Sequence, residues 1–167
     1  MKNFSQKGFT LIELLIVVAI IGALAVTVFV ALDPGTRIKQ ANDVRRQTDA
    51  DTILSAIHAS IVDNKGVGLT NMPAANAERQ LGTGNSTICT TALTTGGCNT
   101  PAATACVDLM TGAVNLSKYL KSMPFDPLGG STYDATKTGY SIVVDSNGIY
   151  TVKACGVQGT TNVSVSR

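Results

Sequence analysis

Charge is scarce in this 167-residue chain, at 14% of its side chains. It is too apolar to be a charged, disordered tail. Neither sign dominates. The net charge is +2, but Lys2 and Lys7 precede a long apolar run, and without them 11 basic side chains face 11 acidic ones. A balanced chain has no broad basic surface, which argues against bulk electrostatic binding of nucleic acid. Histidine occurs once, as His58. It falls in a helical pattern and is expected on the helix surface or packed beneath it. G-x-S-x-G, Walker A, H-E-x-x-H and G-x-G-x-x-G are all missing. Gly82-Thr83-Gly84 has no strand-to-helix context. The residues therefore support no enzymatic constellation and imply no cofactor.

What is present is one long apolar run. Phe9 to Leu32 is 24 residues, almost unbroken except for one carboxylate, Glu13. As a helix it would be about 36 Å long at ~1.5 Å per residue, against a hydrocarbon core of roughly 30 Å. Lys2 and Lys7 lie just before it and no acid does, so the N-terminus is expected to stay cytoplasmic, with the bulk of the chain beyond the membrane.

Three readings of the run compete. It is a plain membrane anchor, or a signal peptide, or a segment cut at its front. Ala23-Leu24-Ala25 offers a small-x-small cleavage site. A chain starting at Val26, however, would expose the apolar stretch Val26 to Val30. A cut after Gly8 instead leaves Phe9 as a free amine, with Glu13 four residues further on. A carboxylate in a low-dielectric setting needs a partner, and the subunit's own terminal amine, or better a neighbour's, supplies one. At an effective dielectric near 20 and ~4 Å such a pair gains about 4 kcal/mol before desolvation. Near a helix N-terminus the carboxylate also meets the dipole with the favourable sign.

The stretch "KGFTLIELLIVVAIIGALA" resembles the N-terminal signature of the type IV pilin family, which includes the type II secretion pseudopilins. The strong similarity covers about the first 35 residues. The resemblance implies that a prepilin peptidase cuts after Gly8 and that Phe9 becomes the methylated first residue. Glu13 would then pair with the Phe9 amine of a neighbour. It also implies a homo-oligomeric helical filament, raised from the membrane by an assembly platform and its ATPase, with no chemistry in the chain itself. Many members carry a proline late in the apolar helix, where it bends or melts in the filament. Here the first proline is Pro34. A melted segment is expected near Gly22, which weakens a helix relative to alanine by about 1 kcal/mol. The alternative for Gly22 is close helix packing in lipid.

Beyond the run, Asp33-Pro34-Gly35-Thr36 interrupts the pattern. Pro34 is either a kink or the first turn of a continued helix. From Arg37 to about Asp63 the pattern is amphipathic, with Ile38, Ala41, Val44, Thr48, Leu54, Ile57 and Ile61 on one stripe. By resemblance this stripe packs on a β-sheet.

Residues 82–106 hold eight threonines, four glycines and no periodicity. A long structureless connection needs pinning or a function. It contains Cys89, Cys98 and Cys106; Cys155 lies near the C-terminus. All four are read as disulfide partners, and four cysteines allow three pairings. Cys89–Cys98 with Cys106–Cys155 would close one short loop and tie the region to the last strands. The cysteine spacings do not suit a metal. Residues 116–122 read as a short helix ended by Met123-Pro124. The following "PFDPLGG" resembles a stretch of major pseudopilins that precedes a calcium loop. Asp126, Asp134 and Asp145 would be the ligands, but the acids are scattered and Leu128 stands where the family motif has tryptophan, so turn residues are the better account. "GYSIVVD" and "GIYTVKACG" form a hairpin. Matching faces put Val144 opposite Tyr150 and Ile142 opposite Val152, leaving Ser146-Asn147-Gly148 as the loop with Gly148 left-handed. Val163 to Ser166 adds a further strand.

The expectation is an α+β, pilin-like fold: leader 1–8, membrane or filament-core helix 9–32, amphipathic continuation 33–64 and head 65–167. The function expected is that of a filament subunit, in a pilus or a pseudopilus. Its rivals are a single-pass anchored binding module and, unsupported by any catalytic group, a tethered enzyme.

Overall fold

The apolar run and the amphipathic segment are both helical, and they are separated by one residue. In the computed structural model, which describes residues 8–102, 104–130, 132–159 and 162–167, α1 spans Leu11–Leu32 and α2 spans Pro34–Asp63. The leader expected at 1–8 lies outside the described residues except for Gly8. Contacts divide the chain into two units, Met1–Ile38 and Lys39–Arg167.

In the first unit, α1 runs unbroken through Gly22. The break between the two helices falls at Asp33, whose φ of 37° and ψ of 72° are left-handed. One glycine costs too little to break a helix of good formers. A residue before proline, by contrast, is disfavoured in the helical region, and aspartate is among the few residues that tolerate the left-handed one. The Asp33 carboxylate then accepts from Thr36 N (3.4 Å) and Thr36 Oγ1 (2.6 Å). Pro34 is therefore the first residue of a newly capped helix.

In the second unit, the buried face of α2 is Arg46, Ala50, Ile53, Leu54, Ala56, Ile57 and Ser60. The expected stripe is right only in its second half. Leu54 and Ile57 are buried and Ile61 packs against the core, but Ile38 and Val44 are 63% and 67% exposed. Burial follows steps of four and three from position 46, and the inward place near the start belongs to a charged residue that brings its own partners. Against this face lie Leu69, Leu81, Leu109, Leu116 and the inner sheet residues Tyr140, Ile142, Val152 and Ala154.

The sheet is antiparallel, in the order β1 (Arg79–Gln80), β2 (Tyr140–Val144), β3 (Tyr150–Ala154), β4 (Val163–Ser166). The hairpin register is the expected one, with Val144 opposite Tyr150 and Ile142 opposite Val152. Gly148 has φ 81°. The Asp145 carboxylate closes the loop by accepting from Asn147 N and Ile149 N, each at 2.8 Å. β1, two residues long, gave no pattern to read. The helix expected at 116–122 is a single turn, with Tyr119 N and Leu120 N both donating to Leu116 O at 2.9 Å. The Asn115 side chain draws Ser117 into a turn (2.9 Å), and Pro124 bars helix at Met123.

The expected disulfide pairing is also corrected. Cys89 bonds Cys106, and Cys98 bonds Cys155. Cys106 N donates to Gly84 O (2.9 Å) and Val107 N to Gln80 O (2.8 Å), which lays residues 106–107 beside 80–84 and within reach of Cys89. Cys98 is delivered to β3 by a tight approach. A Cβ on Gly96 (φ 63°) would lie 2.3 Å from Ala154 O, so only glycine serves there.

Candidate functional site

Two features stand out, one in each unit. The first is the start of α1. Thr10 is its N-cap, with extended φ and ψ. Glu13 N donates to Thr10 Oγ1 (3.3 Å), while Thr10 N and Oγ1 donate to Glu13 Oε2 at 3.5 Å each. This is a capping box. Its signature, Thr10-x-x-Glu13 ahead of an apolar run, was there to be read in the sequence and was missed. Contacts of 3.5 Å sit at the outer limit for hydrogen bonds, so the carboxylate is only weakly held by its own helix. Phe9 is 87% exposed, and no residue of α1 is buried. Among the described residues, one helix is long and apolar enough to cross a membrane. A continuous apolar surface of this kind marks a surface to be covered by lipid or protein.

The second feature is a buried ionic cluster that sequence reasoning did not find. Arg46 donates from Nε to Asp126 Oδ2 (2.6 Å), from Nη2 to Asp126 Oδ1 (2.8 Å) and from Nη1 to Asp43 Oδ1 (2.6 Å). The side chains of Arg46 and Asp126 are fully buried. Burial works against the Arg46 charge, but the bonds to Asp126 and then Asp43 outweigh it, so its pKa is raised. Asp43 also accepts from Gln158 N (3.2 Å) and Gly159 N (2.9 Å), anchoring the connection between β3 and β4. Tyr140 Oη donates to Asp49 (2.8 Å), and its pKa is raised by burial first and by that bond second.

The three carboxylates considered for calcium are not brought together. Asp126 is committed to Arg46 and to Leu128 N (2.9 Å). Asp134 accepts from Thr136 N (2.7 Å) and Oγ1 (2.6 Å), which lowers its pKa. Asp145 holds the hairpin loop, and the backbone N–H of Ile149 leads the groups that lower its pKa. Among the described residues no cluster of three His, Cys, Asp or Glu side chains is placed to hold a metal. His58 packs edge-on to Tyr150, with ring centroids 6.0 Å apart.

Residues 3–29 match the family model described as the prokaryotic N-terminal methylation motif, the prepilin signature of type IV pilins and pseudopilins. That match supports the type IV pilin or pseudopilin class, whose members are structural rather than catalytic, and it implies prepilin-peptidase processing. The apolar helix that follows is consistent with a membrane-anchored precursor. No curated protein and no solved structure matches the chain.

Proposed function

We propose that the chain is the structural subunit of a type IV pilus-like filament. The observation that carries this is the prepilin motif leading directly into a wholly exposed apolar helix with one weakly held carboxylate. In this reading the precursor sits in the membrane with its N-terminus cytoplasmic, and a prepilin peptidase cuts after Gly8. The new Phe9 amine is methylated. The apolar helices of successive subunits then bundle, each Glu13 engaging a neighbour's Phe9 amine in place of its own Thr10. An isolated anchor gains nothing from Glu13, whereas an assembly pairs it. Gly22 and the Asp33-Pro34 junction are the points where the helical segment yields on assembly. An assembly platform and its ATPase supply the work, and the chain performs no catalysis and binds no cofactor.

A pseudopilus is the second reading, favoured by the likeness of Pro124 to Gly130 to the corresponding stretch of major pseudopilins. The test of the filament role is Glu13→Ala in the producing cell. Filaments should be lost or severely reduced while precursor cleavage continues. Undiminished filaments would refute the role given to Glu13.

A further inference from the structure

The two edges of the sheet differ. On one side β1 is covered. Val107 N donates to Gln80 O (2.8 Å) and Gly82 N donates to Val107 O (3.0 Å), which bridges Leu81 to Val107 beside the Cys89–Cys106 disulfide. On the other side β4 is the last strand, and among the described residues it pairs with β3 alone.

The direction of the β4 backbone groups follows from the ladder. Arg167 and Tyr150 exchange both bonds, Arg167 N to Tyr150 O at 3.0 Å and Tyr150 N to Arg167 O at 2.9 Å. Bonded and non-bonded pairs alternate along an antiparallel ladder, so Val165 and Val163 bond inward, to Val152 and Ala154. The N–H and C=O groups of Ser164 and Ser166 therefore point away from the sheet. They have no partner among the described residues, and both serines are exposed.

Such an edge is a template for another strand, and proteins ordinarily guard it with proline, a bulge or a charge. β4 has none of these. Val163-Ser164-Val165-Ser166 is neutral, lacks proline and pairs with β3 residue for residue. The neighbouring cations are drawn elsewhere. Arg167 reaches Ser55 Oγ (3.5 Å) and Asp51 (4.0 Å) on α2, and Lys153 is held by Glu78 (2.8 Å) and Gly97 O (3.0 Å).

The missing group is an extended backbone, and a second β4 supplies one that matches. Faces coincide across an antiparallel pair only when the paired positions add to an even number. Outward groups at 164 and 166 then set Ser164 opposite Ser166 of the second copy, and the reverse. Val165 meets its own counterpart as a non-hydrogen-bonded pair, with Cα atoms ~4.5 Å apart. Val165 is half-buried in the single chain, packed against the core from one side, and this contact covers the rest. Centring the pair on Ser164 would instead draw on Asn162, which lies outside β4.

We propose that β4 is a self-association edge, at which two copies of this chain join their sheets about a two-fold axis at Val165. The contact is isologous. A ladder this short buries less than the roughly 1,000 Å2 of a stable complex, so a single contact is weak. Subunits stacked in one direction are not related by such an axis. In the filament reading the contact therefore joins the heads of two filaments side by side, where repetition multiplies it. The pairing itself needs only the head and stands independently of that reading.

The test is hydrogen exchange of the full-length protein, in detergent micelles kept in excess, from about 10 μM to about 1 mM. The amides of Ser164 and Ser166 should slow by at least about threefold across the series, while those of Val163 and Val165 stay protected throughout. Sedimentation should show monomer passing to dimer over the same range. Ser164→Pro removes an outward donor and leaves the bonds to β3 in place. Ser166→Lys adds a guarding charge with the backbone whole, and so answers for the proline variant should that one disturb β4. Both should keep the protein monomeric. The proposal is overturned if the Ser164 and Ser166 amides exchange at one rate at every concentration, which would leave the edge to a strand of another protein. A dimer that persists in both variants also overturns it, and would place the contact on α1.

Discussion

Asp126→Ala removes the acceptor for two of the three bonds that hold the buried Arg46 guanidinium, at 2.6 and 2.8 Å, and leaves Asp43 alone to compensate it. Both side chains of the principal pair are fully buried. Truncating one member of such a pair costs about 3–5 kcal/mol, because the surviving charge stays desolvated. The bond from Leu128 N is lost as well. Against a total of about 5–15 kcal/mol for a domain, this substitution should leave the head marginal. Arg46→Met should cost a similar amount by stranding Asp126. The double variant should cost less than the sum of the two by about 2 kcal/mol or more, since it strands neither charge. The assay is urea unfolding of a soluble fragment from Asp33 to Arg167, followed by far-UV circular dichroism. A single-variant cost below about 1 kcal/mol, or strict additivity in the cycle, would refute the claim that this pair fastens the "FDPLGG" segment to α2.

Other outcomes follow from the same geometry. The disulfides close loops of 17 and 57 residues, so chain entropy predicts losses of about 3 kcal/mol for Cys89→Ser/Cys106→Ser and about 4 kcal/mol for Cys98→Ser/Cys155→Ser; equal midpoints for the wild type and either double variant in thermal melts would contradict this. Asp33→Gly keeps the left-handed geometry but loses the cap, so it should destabilise the first turn of α2 by a few tenths of a kcal/mol, and Asp33→Ala, which loses both, by about 1 kcal/mol more. Hydrogen exchange at Thr36 and Arg37 reads the difference. Asp63, with bonds from Lys118 and then Tyr119, has a lowered pKa, as do Asp134 and Asp145. Their contribution is present above the unfolded value near ~3.9 and is lost as pH falls through the lowered folded values. Carboxylate NMR titrations should place all three midpoints below that of an unfolded peptide.

How much was legible beforehand depended on whether a feature leaves a local pattern. The start of the chain did: cut-site glycine, phenylalanine, glutamate and apolar continuation are contiguous, and the later match to residues 3–29 covers the same stretch. The hairpin did too, because face matching across two alternating strands allows few registers. The buried face of α2 was only half legible. The rule that apolar residues face inward chose Val44, whereas Arg46 is inside, made tolerable by Asp126, 80 residues away in sequence. No local signal carries such a partnership. The disulfide pairing failed for the same reason. It is set by which segments lie beside β1 and β3, and β1 is two residues long. The capping box was legible too, in the three-residue spacing from Thr10 to Glu13 ahead of the apolar run.

The central claim, that this chain is a prepilin, is tested most directly by the intact mass of the protein recovered from its cells, with fragmentation of the N-terminus. The account predicts a mature chain beginning at methylated Phe9. A chain beginning at Val26, or one that retains Met1 in a cell with an active prepilin peptidase, would contradict it.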